Sequence, residues 1–288
     1  MSGNRATWGG AIRVAFDVGQ LTFTGSSTIT NNTATEDGGF INVGPVSALT
    51  IDGNSTISGN SAKGGGAINV LGYLQSLTTS GNSVMSGNRA TWGGFINVGP
   101  VSALTIDGNS TISGNSAKGG GAINVWGNVQ SLTTSGNSVM SGNRATWGGF
   151  INVATVSGLT VNGNSTISGN SAKGGGFINV ATVSGLTVNG NSTISGNSAK
   201  GGGAINVWVY LQSLTTSGNS VISGNRATWG GFINVGPVSA LTVDGNSTIS
   251  GNSAKGGGAI HVWGNVESLT TNGNSIVSGN RATSAQPP

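Results

Sequence analysis

The sequence predicts an all-β fold, a single parallel β-helix (β-solenoid) of about ten rungs with three short strands in each rung. The first observation is a repeat: the asparagine that ends a Ser-Gly-Asn triplet recurs every 27–28 residues from Asn60 to Asn280. The second is composition, with 54 glycines among 288 residues but only 11 Lys or Arg and 7 Asp or Glu. β-Branched residues are spread evenly between the glycines, which argues against disorder. A fixed period of this length is typical of repeat folds.

Three strands fit into each period. Residues 104–106, 111–113 and 122–125 alternate apolar with polar or small residues, as half-buried strands do. The segments Asp107-Gly108-Asn109 and Gly114-Asn115 are typical of turns, because Gly and Asn tolerate positive φ. We therefore predict one domain over 1–288, with divergent first two rungs (1–59), regular rungs (60–280) and a short tail (281–288).

Large and small residues alternate between successive repeats. Stacking in register would place Trp92 over Gly64 and Gly119, and Phe95 over Ala67 and Ala122, because a column of large rings alone would not fit a close-packed cross-section. The alternation breaks at 150–203, where one 23-residue stretch, ATVSGLTVNGNSTISGNSAKGGG, is written twice. We interpret this as the duplication of one rung.

The frame also resembles a known family. Gly65-Gly66-Ala67-Ile68, preceded by the tetrapeptide Ile57-Ser58-Gly59-Asn60, is similar to the GGAI and FxxN repeats of the chlamydial polymorphic outer-membrane proteins, with Ile, Met or Val in place of the family's Phe. The resemblance implies a surface-exposed, β-helical passenger domain with a role in adhesion.

The composition argues against an enzyme. The carboxylates are mostly rungs apart, His261 stands alone in a position otherwise filled by Asn, and there is no Cys for a disulfide or thiolate metal site. We expect no catalytic residue, metal or cofactor, and no nucleic-acid partner. Residues 1–15 show no signal-peptide pattern, and the apolar run at 205–211 is too short to span a bilayer.

A basic residue recurs at one corner of nearly every rung. Like charges at this spacing repel by roughly 1 kcal/mol even in water, so the row predicts either an anionic partner, such as an acidic polysaccharide or cell-surface polymer, or a device that keeps rods from associating sideways. The candidate anion-binding residues are Arg5, Lys63, Arg89, Lys118, Arg144, Lys173, Lys200, Arg226, Lys255 and Arg281.

Threonine also recurs without a break, always directly after a leucine. If the leucines face the core, the threonines form an outward ladder, which is the surface chemistry of ice-binding solenoids; its neighbouring column is mixed, with Asp52, Ser80 and Asp107. The candidate ice-binding residues are Thr22, Thr50, Thr78, Thr105, Thr133, Thr160, Thr187, Thr215, Thr242 and Thr270.

Aromatic residues recur at two corners, with Trp126, Trp208 and Trp263 at the second. The phase of the Ile-Asn-Val strand decides whether the preceding Phe forms an exposed ridge or belongs to the core, and the sequence leaves both open. The candidate interface aromatics are Trp92, Phe95, Trp147, Phe150, Phe177, Trp229 and Phe232.

The function predicted from these patterns is structural or adhesive, at the cell surface or outside the cell, with ice binding as the alternative. Both ends of the chain stand at the same phase of the repeat, SGNRAT at 2–7 and at 278–283. Acidic residues are concentrated in the first two rungs. We therefore predict that copies stack head to tail into a filament.

Overall fold

The computed structural model describes residues 1–283 and confirms the predicted fold. Its strands are parallel and stack into a β-solenoid of about ten turns. Residues 1–283 contain no helix that is long and apolar enough to cross a membrane. The last five residues of the predicted tail, 284–288, lie outside the described residues.

In chain order the strands are β1 (Arg5–Ala6), β2 (Ile12–Val14), β3 (Val18–Phe23), β4 (Thr28–Thr30), β5 (Thr33–Ala34), β6 (Ile41–Val43), β7 (Val46–Ile51), β8 (Thr56–Ser58), β9 (Ile68–Val70), β10 (Leu74–Thr79), β11 (Val84–Ser86), β12 (Ile96–Val98), β13 (Val101–Ile106), β14 (Thr111–Ser113), β15 (Ile123–Val125), β16 (Asn128–Thr134), β17 (Val139–Ser141), β18 (Ile151–Val161), β19 (Thr166–Ser168), β20 (Ile178–Val188), β21 (Thr193–Ser195), β22 (Ile205–Thr216), β23 (Val221–Ser223), β24 (Ile233–Val235), β25 (Val238–Val243), β26 (Thr248–Ser250), β27 (Ser253–Ala254), β28 (Ile260–Val262), β29 (Val266–Thr271), β30 (Ile276–Ser278) and β31 (Arg281–Ala282).

The strands form three faces. The INV face holds the Ile-Asn-Val strands such as β12 and β15, the LT face holds the Leu-Thr strands such as β10 and β13, and the TIS face holds ten three-residue strands from β4 to β30. The INV and LT faces belong to one 17-stranded sheet, because β18, β20 and β22 run through both without a break. These three strands lie in the two copies of the duplicated rung and in the rung that follows them.

The register is the one predicted from the repeat. Leu104 pairs with Leu77 and Leu132, so identical residues lie above one another. Gly64 and Gly119 bracket Trp92 in the column of that residue. Ala67 donates its N–H to the Phe95 carbonyl at 3.0 Å. Large rings therefore alternate with small residues, as expected from close packing.

The phenylalanines lie in the core, so the exposed ridge considered from the sequence does not exist. Phe95, Phe150, Phe177 and Phe232 are fully buried, which removes them from the candidate interface. The reason lies in the backbone at the start of the INV strand. Two consecutive N–H groups, those of Phe95 and Ile96, donate to the same carbonyl of Ala122 at 2.8 and 3.0 Å. This bulge-like pairing breaks the alternation, and both side chains face inward.

Two phenylalanines meet at the duplicated rung, where the large-small alternation fails. The rings of Phe150 and Phe177 stack with centroids 5.4 Å apart and an interplanar angle of 16°. Two aromatic rings thus fit into adjacent rungs when they lie nearly parallel. The duplication is accommodated by stacking within the core.

A buried ladder of asparagine amides runs along the corner after the TIS face. The amide of Asn115 donates to Asn143 Oδ1 and to the Met85 carbonyl, each at 3.0 Å. It accepts from the backbone N–H and the side-chain Nδ2 of Asn88, at 2.9 and 3.0 Å. Asn115 is fully buried, and the same pattern repeats in the neighbouring rungs. The ladder satisfies the polar backbone at a turn that has no solvent.

Replacing Gly119 by Leu is expected to lower the free energy of unfolding by about 1–3 kcal/mol, because the added side chain overfills this column. A Cβ atom at Gly119 would lie 2.5 Å from Cε3 of Trp92. Trp92 is partly exposed and can be displaced outward, which limits the loss. Urea denaturation followed by circular dichroism measures the change, and unchanged stability would contradict the register.

Candidate binding surfaces

The basic corner consists of the ten predicted Lys and Arg residues, and all ten side chains are exposed. They form two columns. Arg89 and Arg144 pair with Ser116 in the rung between them, whereas Lys63 and Lys118 stand two residues further along their rungs. The alternation lengthens the distance between like charges and so weakens their repulsion.

At the duplicated rung two lysines follow one another in a single column. Lys173, Lys200 and Arg226 line one shallow cavity of about 320 Å³. A second cavity of about 180 Å³ follows, lined by Arg226 and Lys255. The corner is therefore a shallow basic groove in this part of the rod. At the other end, Lys63 Nζ lies 2.8 Å from Glu36 Oε1, which neutralises the corner locally.

The threonine column follows the LT face in register. Thr105 pairs with Thr78 and Thr133, and the leucine before each threonine in rungs two to nine is buried. Most of the ten side chains are half-buried and face outward between neighbouring rungs. Beside the column, the backbone N–H of Gly53 and then the Ser80 hydroxyl hold the pKa of Asp52 below its usual value.

Tryptophans flank the INV face on both sides. Trp8, Trp92, Trp147 and Trp229 precede the strand, and Trp126, Trp208 and Trp263 follow it. From Trp92 to Trp263 the two sets alternate from rung to rung, except that the rung of Asn179 carries neither. In one pair from adjacent rungs the rings meet: Trp92 and Trp126 have centroids 6.2 Å apart, and Trp126 Nε1 donates to Asn97 Oδ1. A cavity of about 490 Å³ adjoins this pair on the side of Asn69 and Gly99 and is also lined by Glu36, Asp37 and Lys63.

The duplicated rung lacks a tryptophan on both sides of its strand. It carries Gly174 where the rung before it carries Trp147, and Ala181 where the rung after it carries Trp208, so that Trp147 and Trp208 stand two rungs apart. Two adjoining cavities of about 310 and 400 Å³ lie here, and both are lined by Asn179 and Trp208. We call this site the tryptophan cleft. Its walls are Trp92, Trp126, Trp147 and Trp208, and its floor is Asn124, Asn152, Asn179 and Asn206.

The floor of the cleft is a second ladder of amides. Asn152 donates to Asn124 Oδ1 at 3.1 Å, and Asn179 donates to Asn152 Oδ1 at the same distance. Asn206 continues the ladder at 2.9 Å. Each amide has two N–H donors and two acceptor lone pairs. Within residues 1–283 each of these asparagines uses one amide N–H and one lone pair of Oδ1 in the ladder. One N–H and one lone pair of each side chain are left for a ligand.

Two ionisable groups adjoin the INV face nearer its ends. Burial, and then the charge of Glu36, raise the pKa of Asp37 above its usual value. Burial lowers the pKa of His261, whose ring lies 5.2 Å from that of Trp229 and whose Nδ1 is 2.8 Å from Asn234 Oδ1. His261 thus takes the place of an asparagine in the ladder. Among residues 1–283, no three His, Asp or Glu side chains lie close enough to hold a metal ion.

The basic corner and both sets of tryptophans are visible in the sequence. The cleft is not, because it depends on the Asn of each Ile-Asn-Val strand facing outward between the two sets. The signal available in the sequence was the recurrence of that Asn, together with the missing tryptophans at 174 and 181.

Three segments match the model of the Chlamydia polymorphic membrane protein repeat: residues 49–70, 104–125 and 246–262. The chain is similar to this repeat in these three places. Each matched segment ends in a Gly-Gly-Ala-Ile rung, the feature on which the resemblance was based. No curated protein and no solved structure matches the chain.

Proposed function

We propose that this protein is a non-enzymatic structural and adhesive solenoid, located at the cell surface or outside the cell, that holds an acidic polysaccharide or similar anionic polymer along its basic corner. The exposed row of ten cations carries the proposal. The polymorphic membrane protein repeats support the surface location.

A linear polyanion suits this corner better than a small anion does. From Lys63 to Arg281 each rung carries one of the cations, so that successive cations advance by about 4.8 Å along the rod, and those from Lys173 to Lys255 line shallow grooves that are open to solvent. A chain with regularly spaced negative charges would offset the repulsion between neighbouring cations. Binding would then be electrostatic and would weaken as salt screens exposed charges beyond about 10 Å at 0.1 M.

Replacing Lys173, Lys200 and Arg226 by Gln is expected to lower the salt concentration at which the protein elutes from heparin. Without these three positive charges, the groove no longer attracts the negative groups of heparin. The matched control replaces Gln75, Gln130 and Gln212, which are exposed on the LT face, by Glu. Each triple variant lowers the formal net charge of +4 to +1, because three positive charges are lost or three negative ones gained.

Equal shifts for the two variants would mean that only net charge matters. Wild-type protein that passes straight through at low salt would favour the role of keeping rods apart.

We propose further that copies associate head to tail into a filament. In the last described rung, Leu269, Ile276 and Val277 are 67%, 52% and 55% exposed. Lys255 and Arg281 lie near this end together with Glu267, and Asp17, Glu36 and Asp37 lie near the other together with Arg5 and Arg13. A second copy would cover the apolar edge. Electron microscopy and sedimentation test this: rods of one molecule's length with a monomeric profile would contradict it.

Ice binding is the second candidate, favoured by the in-register threonine ladder from Thr22 to Thr270. An assay of thermal hysteresis and ice recrystallisation tests it. Activity that is lost when Thr105, Thr133 and Thr160 are replaced by Lys would support this function, and an inactive wild-type protein would exclude it.

A further inference from the structure

We infer that the tryptophan cleft binds a short stretch of a neutral glycan chain, laid along the rod axis. This site is distinct from the basic corner and goes beyond the function proposed above. The inference is based on the walls, the floor and the charge of the cleft, and on the duplicated rung that separates Trp147 from Trp208.

The walls offer flat apolar surfaces to the ligand. Trp126, Trp147 and Trp208 are 66%, 49% and 53% exposed. They line one continuous cleft, and contiguous apolar surface rimmed by polar residues is typical of ligand-binding grooves. The C–H faces of pyranose rings are apolar and flat, and they stack on indole rings. A peptide or lipid would use the walls as well, so the floor decides between ligands.

The floor supplies a row of paired donors and acceptors. Asn152 and Asn179 each keep one N–H and one lone pair beyond the ladder, as described above, and both line the cleft. Neighbouring hydroxyl groups of a sugar both donate and accept hydrogen bonds, so they match an amide that offers one of each. The amides recur about every 4.8 Å along the axis, close to the advance of one sugar unit in an extended chain. A lipid would leave this row without partners.

The cleft contains no charge. None of the residues that line its two cavities is ionisable. The volumes of about 310 and 400 Å³ are in the range of small-ligand sites. A neutral ligand is therefore the one that fits, whereas an acidic polymer is directed to the basic corner.

The test uses the full chain and five neutral hexasaccharides: cello-, xylo-, manno-, malto- and chitohexaose. We expect at least one of them to shift the tryptophan fluorescence and to bind in isothermal titration calorimetry, with an affinity that high salt does not reduce. Trp126→Ala and Trp208→Ala are each expected to weaken binding by about tenfold or more, the range of a central contact residue. Phe16→Ala, which removes an aromatic ring that is 82% exposed outside the cleft, should bind like the wild type.

A deletion variant tests whether binding requires the shape of the cleft or only the presence of its tryptophans. Removing residues 154–180 joins Val153 to Ala181 and takes out one rung without changing the sequence at the junction. Trp147 and Trp208 then stand in adjacent rungs, as Trp92 and Trp126 do at 6.2 Å, and their rings close over the strand. This variant keeps every tryptophan and is expected to lose binding, while its circular dichroism spectrum remains that of a β-solenoid.

Three outcomes would overturn the inference. The first is that none of the five hexasaccharides binds. The second is that the deletion or the tryptophan variants bind like the wild type. The third is that a polyproline peptide, tested in parallel, binds while the glycans do not, which would assign the cleft to a peptide. Because the heparin assay reports on the basic corner and depends on salt, failure of one proposal does not imply failure of the other.

Discussion

Replacing Asn115 by Leu is expected to lower the free energy of unfolding by about 3–5 kcal/mol. The side chain is similar in size, but four hydrogen bonds end on the Asn115 amide. Their loss leaves the backbone N–H and Nδ2 of Asn88 without their acceptor, and Asn143 Oδ1 without one donor. All of these groups are buried, and each buried polar group without a partner costs about 1–3 kcal/mol.

The matched control is Asn109→Leu in the exposed ladder of the neighbouring turn. Asn109 donates to Asn82 Oδ1 at 2.9 Å and accepts from Asn137 Nδ2 at 2.9 Å, but water can replace both bonds because the residue is exposed. A loss below about 1 kcal/mol is expected there. Urea denaturation measures both variants, and hydrogen exchange of the flanking rungs shows whether the damage is local. Equal losses of unfolding free energy in the two variants would mean that burial does not determine how much an asparagine ladder contributes to stability.

Replacing Gly121 by Ala is expected to lower the free energy of unfolding by at least about 3 kcal/mol. The added Cβ would lie 1.9 Å from the Gly149 carbonyl oxygen and 2.8 Å from the backbone N of Arg144. Both atoms belong to the backbone of the next rung, so a side-chain rotation gives no relief. The two rungs would have to move apart, and their backbone hydrogen bonds would lengthen.

Gly158→Ala is the control for the loss of a glycine. Its nearest atom to an added Cβ is the Gln130 carbonyl oxygen at 3.9 Å, and its backbone is extended in β18. Alanine there is expected to be neutral or to stabilise by about 0.4–1 kcal/mol, because it restricts the unfolded chain. Thermal melts of the two variants, side by side, measure the difference. Similar melting temperatures would contradict the close approach of the rungs.

The sequence determined the stacking register because the repeat itself carries it. Once Asn60, Asn88 and Asn115 are aligned, Trp92 must lie over Gly64 and Gly119, and the structure agrees. The position of the phenylalanines could not be obtained in this way. It depends on two N–H groups sharing one carbonyl at Phe95 and Ile96, a detail of the backbone path after two glycines that the alternation of side chains does not reveal.

The basic corner was found in the sequence as one row and is two columns in the structure. The distinction was present in the spacing, since Arg89 directly follows Asn88 whereas Lys63 stands three residues after Asn60. The cleft could not be predicted from spacing. It requires an Asn that faces outward between two sets of tryptophans, and the sequence does not show which side chains of the Ile-Asn-Val strand face outward.

The duplicated rung has a consequence for how such a protein evolves. Its two copies, 154–176 and 181–203, are identical, so unequal recombination between them can add or remove a rung without a single point mutation. The core tolerates the change because Phe150 and Phe177 stack, while on the surface the spacing of Trp147 and Trp208 changes by one step. If the cleft binds a glycan as we infer, its gain and loss follow the number of repeats, and length variants would differ in whether they bind that ligand.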